Sequence, residues 1–181
     1  GFAVPPCPEP VSDDEIRPFL DFLFDVICCG DEALCHWVTA YFADILKNPG
    51  LKPGTALIAV GLEGSGKTLL GNIIGAIIGD QHYTSSYDLS HLAKDFNPEY
   101  DNKVFVQCDE AISNRQVQLA ERMKALITDK WMRVERKNID PVIKPNLMRF
   151  YLTSNHMNKV AHLSHSDRRY TVVRVSDKYA H

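Results

Sequence analysis

The 181 residues predict an α/β domain with a central, mainly parallel sheet, preceded by a small helical hairpin. Three observations carry that prediction. Beyond residue 54, short apolar strands alternate with helical segments. A glycine-rich turn joins the first of those strands to a helix. The first fifty residues show helical apolar spacing and no strand pattern.

Residues 1–11 are rich in proline and predict a flexible lead-in. Ser12 to Glu15 forms a capping-box pattern. The apolar stripe that follows is Ile16, Phe19, Leu20, Leu23, Phe24 and Ile27. Pro18 removes an intrahelical hydrogen bond, so the regular helix is expected to begin nearer Pro18 than Ser12. Gly30 ends this helix and Asp31 caps the next, whose stripe is Leu34, Trp37, Val38, Tyr41, Phe42, Ile45 and Leu46. Residues 12–50 therefore read as a hairpin of two helices. Nine acidic and two basic side chains in residues 1–47 suit packing on protein better than on nucleic acid. Asn48-Pro49-Gly50 and Pro53-Gly54 mark the loop into the core, residues 51–181. Its expected strands are 55–60, 104–108, 149–153 and 171–175, with helices at 67–78, 89–96 and 116–128.

Apolar residues make up 45% and charged residues 24%, as in an ordinary globular domain. Twenty Lys and Arg against 23 Asp and Glu give −3, which excludes a uniformly basic nucleic-acid coat but not a local patch. No apolar run reaches the about 18 residues of a membrane span, and no signal pattern is present, so a soluble chain is expected. The opening Gly1, without a Met, predicts a piece of something longer. Five cysteines with Cys28 beside Cys29 make a poor disulfide framework. Cys28, Cys29, Cys35 and His36 invite a zinc reading, but their spacing matches no common ligand pattern. Cys28 and Cys35 read better as small apolar fillers.

The sharpest motif is Gly61, Leu62, Glu63, Gly64, Ser65, Gly66, Lys67 and Thr68, which fits G-x-x-x-x-G-K-[ST] between a strand and a helix. Glycines let backbone N–H groups wrap phosphates, and the helix N-terminus adds partial positive charge. Lys67 can neutralise β- and γ-phosphates and the Thr68 hydroxyl can bind Mg²⁺. The binding loop runs through Leu69. A nucleoside triphosphate, ATP, is the expected ligand. The strand 104–108 ends in Asp109 and Glu110. Asp109 suits the Mg²⁺ shell, and Glu110 suits a base that polarises attacking water. Asn155 closes the next strand, where it could hold that water or simply form a turn. Arg168 and Arg169 precede the last strand and could stabilise transition-state charge, although arginines at such places are common.

In this order the residues resemble the superfamily 3 helicases, a compact AAA+ branch of P-loop NTPases. The flavour is that of domains fused to primases or primase-polymerases in phages and large DNA viruses. The resemblance covers residues 55–175. It implies Gly61 to Thr68 as Walker A, Asp109-Glu110 as Walker B and Asn155 as the sensor. It implies Arg169, or second Arg168, as an arginine finger reaching the ATP of a neighbour in a ring, usually a hexamer. It implies a DNA-contacting hairpin between Walker B and the sensor. Residues 130–149 hold six basic and two acidic side chains. Alternation through Met132 and Val134 reads as a strand, and Asn138 to Pro141 as its turn. Arg136, Lys137 and Asn138 then become the candidate contacts to single-stranded DNA. Lys124 either approaches a neighbour's phosphate or lies on a solvated helix face.

The resemblance implies an ATP- and Mg²⁺-dependent ring helicase in viral, phage or mobile-element replication, moving 3′ to 5′. It implies fusion to primase or polymerase domains, a cytoplasmic location in the host cell, and no membrane partner. Two other functions fit parts of the pattern. A nucleotide-gated loader shares the same ATP site. A P-loop small-molecule kinase fits less well, because Asp109-Glu110, Asn155 and Arg169 suit hydrolysis by water.

Overall fold

The computed structural model describes residues 9–87, 98–109, 117–157, 160 and 167–180; for 117–120 and 136 it describes the backbone alone. The expected helix at 89–96 and the candidate base Glu110 lie outside these residues.

Helix α1 spans Asp13–Asp21. The Ser12 N–H donates to the Glu15 carboxylate at 2.8 Å, and three acids in the first turn complement the helix dipole. The helix therefore starts before Pro18, not at it. Pro18 and Asp14 are both exposed, so the carbonyl the proline leaves unpaired can face water. From Phe22 to Ile27 the coil loosens into a π-helix, and the Cys28 N–H reaches the Leu23 carbonyl at 3.0 Å. The predicted stripe is only half used. Ile16 and Leu20 stay 40% and 42% exposed, Phe19 packs half-buried against the core, and Leu23 and Ile27 enter it. Gly30, at φ +77°, turns the chain, and Asp31 caps α2 (Glu32–Lys47) by accepting from the Leu34 N–H at 2.9 Å.

The sheet has five parallel strands: β1 (Ala56–Val60), β2 (Tyr83–Ser86), β3 (Phe105–Cys108), β6 (Arg149–Ser154) and β7 (Tyr170–Arg174). Their spatial order is β2-β3-β6-β1-β7. Every residue of β1 is buried, as a parallel strand covered on both faces requires. Leu57 and Ala59 face α2, α3 (Lys67–Ile78) and the π-helix, with Leu23, Phe42 and Leu70 in one core. Ala56, Ile58 and Val60 face the opposite core, with Met123 and Ile127 of α4 (Val117–Thr128). That second core also takes Met132 and Val134 of β4 (Trp131–Arg136), which pairs antiparallel with β5 (Ile139–Pro145).

The expected hairpin turn, Asn138 to Pro141, is also corrected. The turn of the β4–β5 hairpin is Lys137-Asn138, with Asn138 at φ +60°; Ile139 to Pro141 already belong to β5. Asparagine tolerates the left-handed region that a two-residue turn demands, and this shortens the turn. Strand β2 was not anticipated, because Tyr-Thr-Ser-Ser is polar and pairs with one neighbour only.

Candidate functional site

The glycine loop leaves the carboxyl end of β1, where open α/β sheets carry their ligands. Gly64 at φ +77° and Gly66 at φ +90° give it a curl that other residues adopt only under strain. Gly66 is also packed from above. A Cβ there would lie 2.8 Å from the Phe22 ring, so the π-helix roofs the loop. Ser65 is buried and its hydroxyl donates to the Leu62 carbonyl at 2.8 Å. The Lys67 ammonium folds over the loop, 2.9 Å from the Gly61 carbonyl and 2.6 Å from that of Leu62. Tyr151 of β6 fixes the first turn of α3 by donating to the Lys67 carbonyl at 2.8 Å. Burial pushes the Tyr151 phenol far up, so it stays a donor.

Asp109 follows β3 and is almost fully buried. Its Oδ1 accepts from the Thr68 hydroxyl at 3.1 Å and from the Thr153 hydroxyl at 3.0 Å. The Gln107 Nε2 donates to both carboxylate oxygens, at 3.2 and 3.1 Å. The Tyr83 hydroxyl in turn donates to Gln107 Oε1 at 2.8 Å. Alternation along β3 puts Gln107 on the α3 side, and Gly71 makes room for it: a Cβ on Gly71 would lie 2.1 Å from Gln107 Oε1. The Asp109 carboxylate and the Thr68 hydroxyl lie side by side, and both are oxygen donors of the kind a hard divalent cation prefers.

The structure thus gathers Lys67, Thr68 and Asp109 at one end of the sheet. Asn155 lies there too, after β6, and lines with Gly61 and Leu62 a cleft of about 380 Å³. Cys29, Arg174 and Asp177 complete its walls. Leu62, on its wall, is exposed, and so is Leu69 in the first turn of α3.

Arg169 is not part of this group. It sits just before β7, and its carbonyl accepts from the Ala56 N–H at 2.8 Å, at the amino end of β1. Roughly 15 Å of strand separates it from the glycine loop of its own chain. Its guanidinium is gripped by Asp167, at 2.9 and 3.0 Å, and Lys124 of α4 lies 3.9 Å from the same carboxylate. Burial alone would raise the Asp167 pKa, but the backbone and side-chain bonds from Arg169 hold it below the ordinary value. Arg168 is exposed next to this pair. Lys137 and Asn138 are exposed at the hairpin tip.

Sequence reasoning missed Gln107, Thr153, Tyr151 and Asp167, as well as the cleft beside Asn155. A polar Gln inside an apolar strand, two residues before Asp109, was the available signal. Cys28 lies in the core, its thiol pushed up to about 12 by burial and by Cys35. No helix of the described residues is long and apolar enough to cross a membrane.

This is an α/β fold with a five-stranded parallel sheet and a glycine loop at its carboxyl edge. Residues 59–169 match the model of DUF5906, a family of unknown function, and the chain belongs to that family. It is 32% identical over 129 residues to the DNA primase-polymerase of Nitratiruptor phage NrS-1, over 70% of this chain and 18% of that protein. The apo structure of the NrS-1 C-terminal region (305–718) superposes with a TM-score of 0.78 at 29% identity, covering 95% of this chain and 42% of that one. The A form apo structure of the same region gives 0.74 at 27% identity, covering 96% and 42%. The chain is therefore homologous to the C-terminal region of a phage DNA primase-polymerase and spans a minor part of its length.

Proposed function

We propose that this chain is the ATP-hydrolysing motor of a ring-forming DNA helicase, working beside primase-polymerase domains in phage or mobile-element replication. One observation carries the reading: Arg169 is anchored at the edge of the sheet opposite the glycine loop. An arginine so placed is far from its own chain's glycine loop and would serve a nucleotide held by another subunit, which a head-to-tail ring supplies.

The loop N–H groups and the α3 N-terminus would cradle the phosphates, with Lys67 turning from the loop carbonyls toward them. Thr68 and Asp109 would hold Mg²⁺, which neutralises phosphate charge when bound. Gln107 and Thr153 keep the Asp109 carboxylate aimed. The cleft lined by Cys29, Asn155 and Arg174 falls within the ordinary range of ligand pockets and would take the nucleoside. Asn155 would orient the water that Glu110 polarises. The Asp167 grip would set the reach of Arg169 into the next subunit. Lys137 and Asn138, with Arg136, would contact the phosphates of single-stranded DNA.

The test is complementation between two dead variants. Glu110→Gln and Arg169→Ala should each abolish ATP turnover alone. Mixed, they should recover part of it, because some interfaces then pair an intact Glu110 with an intact Arg169. Turnover per subunit should also climb with protein concentration and with single-stranded DNA. Mixtures that stay inactive, together with concentration-independent turnover in the unmodified chain, would refute a shared site.

A further inference from the structure

The outer face of the β4–β5 hairpin carries a side chain that the fold does not use. Met132 and Val134 turn into the core, so by the two-residue period Trp131 and Arg133 turn away from it. Trp131 is 62% exposed, although few side chains bring more apolar area. A groove of about 180 Å³ runs beside it, and its lining includes Arg122 of α4, Arg133 and one carboxylate, Asp129. Arg133 is also paired with Glu135 at 2.7 Å. Across the strands, Pro145 lies opposite Trp131 and Ile143 opposite Arg133, and Ile143 is 71% exposed. This face carries exposed aromatic and apolar surface beside Arg133, and it is set in a segment of six basic and two acidic residues.

An indole that shares a groove with two arginines matches a flat ring that carries an anion. We propose that Trp131, Arg122 and Arg133 form a stacking platform for one base of a single-stranded nucleic acid, separate from the hairpin tip at Lys137 and Asn138. The indole takes any base because every base has a π-face, and the arginines hold the flanking phosphates. Charge decides against a second copy of the same face, since two basic segments would repel; a polyanion is attracted. The inference rests on the nucleic-acid reading above but adds a base-dependent contact that phosphate binding alone does not require.

The experiment separates base from phosphate. Labelled oligothymidylate and an abasic deoxyribose-phosphate strand of equal length are titrated by anisotropy into the unmodified chain, Trp131→Ala, Trp131→Phe and Lys137→Ala. The exposed position of Trp131 makes its replacement benign for folding. The platform predicts that Trp131→Ala weakens oligothymidylate binding about tenfold or more and leaves abasic binding unchanged, with Trp131→Phe retaining most of the affinity. The chain has two tryptophans, so in Trp37→Phe all indole emission comes from Trp131; oligothymidylate should quench it and the abasic strand should not. Equal affinity for both strands, or no effect of Trp131→Ala, overturns the proposal. A Trp131→Ala variant that changes sedimentation but not DNA affinity marks a protein contact instead, and also overturns it. Abasic binding that survives Trp131→Ala and falls in Lys137→Ala, with no base dependence, leaves the hairpin-tip reading standing while the platform fails. If no strand binds at all, both fall.

Discussion

Gln107 holds Asp109 by both carboxylate oxygens, and Gly71 exists in a form that permits it. The carboxamide nitrogen lies 3.2 and 3.1 Å from the two oxygens, and the oxygen of the same amide fills the space a Gly71 side chain would need. Glycine within a helix costs about 1 kcal/mol relative to alanine, so its presence in α3 has a purpose that α3 alone does not supply. Gln107→Leu should therefore lower ATP turnover about 10- to 100-fold and raise the Mg²⁺ concentration needed for half-activity, the usual cost of losing a ligand's orienting partner. Gly71→Ala should reproduce that phenotype by displacing the amide. The double variant should be little worse than Gly71→Ala alone, because both changes remove the amide contact and only Gly71→Ala also presses on Tyr151, whose ring lies 2.9 Å from the added Cβ. A Mg²⁺ titration of turnover in the three variants decides it; full additivity would mean that Gly71 matters for some other reason.

The grip of Asp167 on Arg169 makes a second prediction. Asp167→Ala removes the carboxylate that grips the guanidinium, and it also removes the counter-charge near Lys124. Turnover should fall toward that of Arg169→Ala, while ATP binding by the separately placed glycine loop stays within about twofold. Fluorescent-nucleotide binding and turnover, measured on the same samples, test the split. Loss of nucleotide binding in Asp167→Ala would show that the two ends of the sheet are not independent.

Arg149 makes a third. Its side chain is buried at the start of β6, donating to Asp44 of α2 and to the Asn48 carbonyl, each at 2.8 Å. Its Nε and Nη1 have no hydrogen-bond partner among the described residues. Asp44→Ala strands this cation, and should cost about 3 kcal/mol, the low end for breaking a buried pair because Asp44 itself is partly exposed. Arg149→Met removes the unsatisfied N–H groups together with the charge, and should cost less than Asp44→Ala. Urea midpoints rank the two. The reverse order would mean that the pair adds net stability rather than only avoiding an uncompensated charge.

The elements that sequence reasoning located share one property: their signals are local. Asp31 caps α2 because a carboxylate three residues before a backbone N–H needs no distant partner, and Gly61 to Thr68 curls for reasons internal to the loop. The elements it missed depend on a neighbour. Strand β2 exists because β3 offers it an edge, and nothing in Tyr-Thr-Ser-Ser says so. Gln107 reads as an irregularity in an apolar strand until α3 brings Gly71 against it. Pro18 misled because its cost depends on whether Asp14 faces protein or water. Arg169 was legible as a candidate, but its distance from the loop follows only from the pairing of β7 beside β1. That distance is what separates a shared site from a self-contained one.

Lys52 supplies a pH prediction whose sign can be worked out. Its side chain is half-buried, with the ammonium 5.9 Å from the Phe150 ring centroid and donating to the Met148 carbonyl at 3.1 Å. Burial and then the nearby Arg149 pull its pKa down from 10.5 to about 7. Between those values the unfolded chain binds a proton that the folded chain does not. Stability must therefore rise with pH across that window, and below it the folded state carries an unfavourable buried charge. The Cys28 thiol acts in the opposite direction, but only above its unfolded value of 9.0, because its folded pKa is raised. The clean interval is thus from about pH 7 to about pH 9. The melting temperature should increase across it in the unmodified chain and stay flat in Lys52→Met, which should be the more stable protein at pH 7 and below. Matched slopes in the two proteins would place the charge of Lys52 in water rather than in the fold.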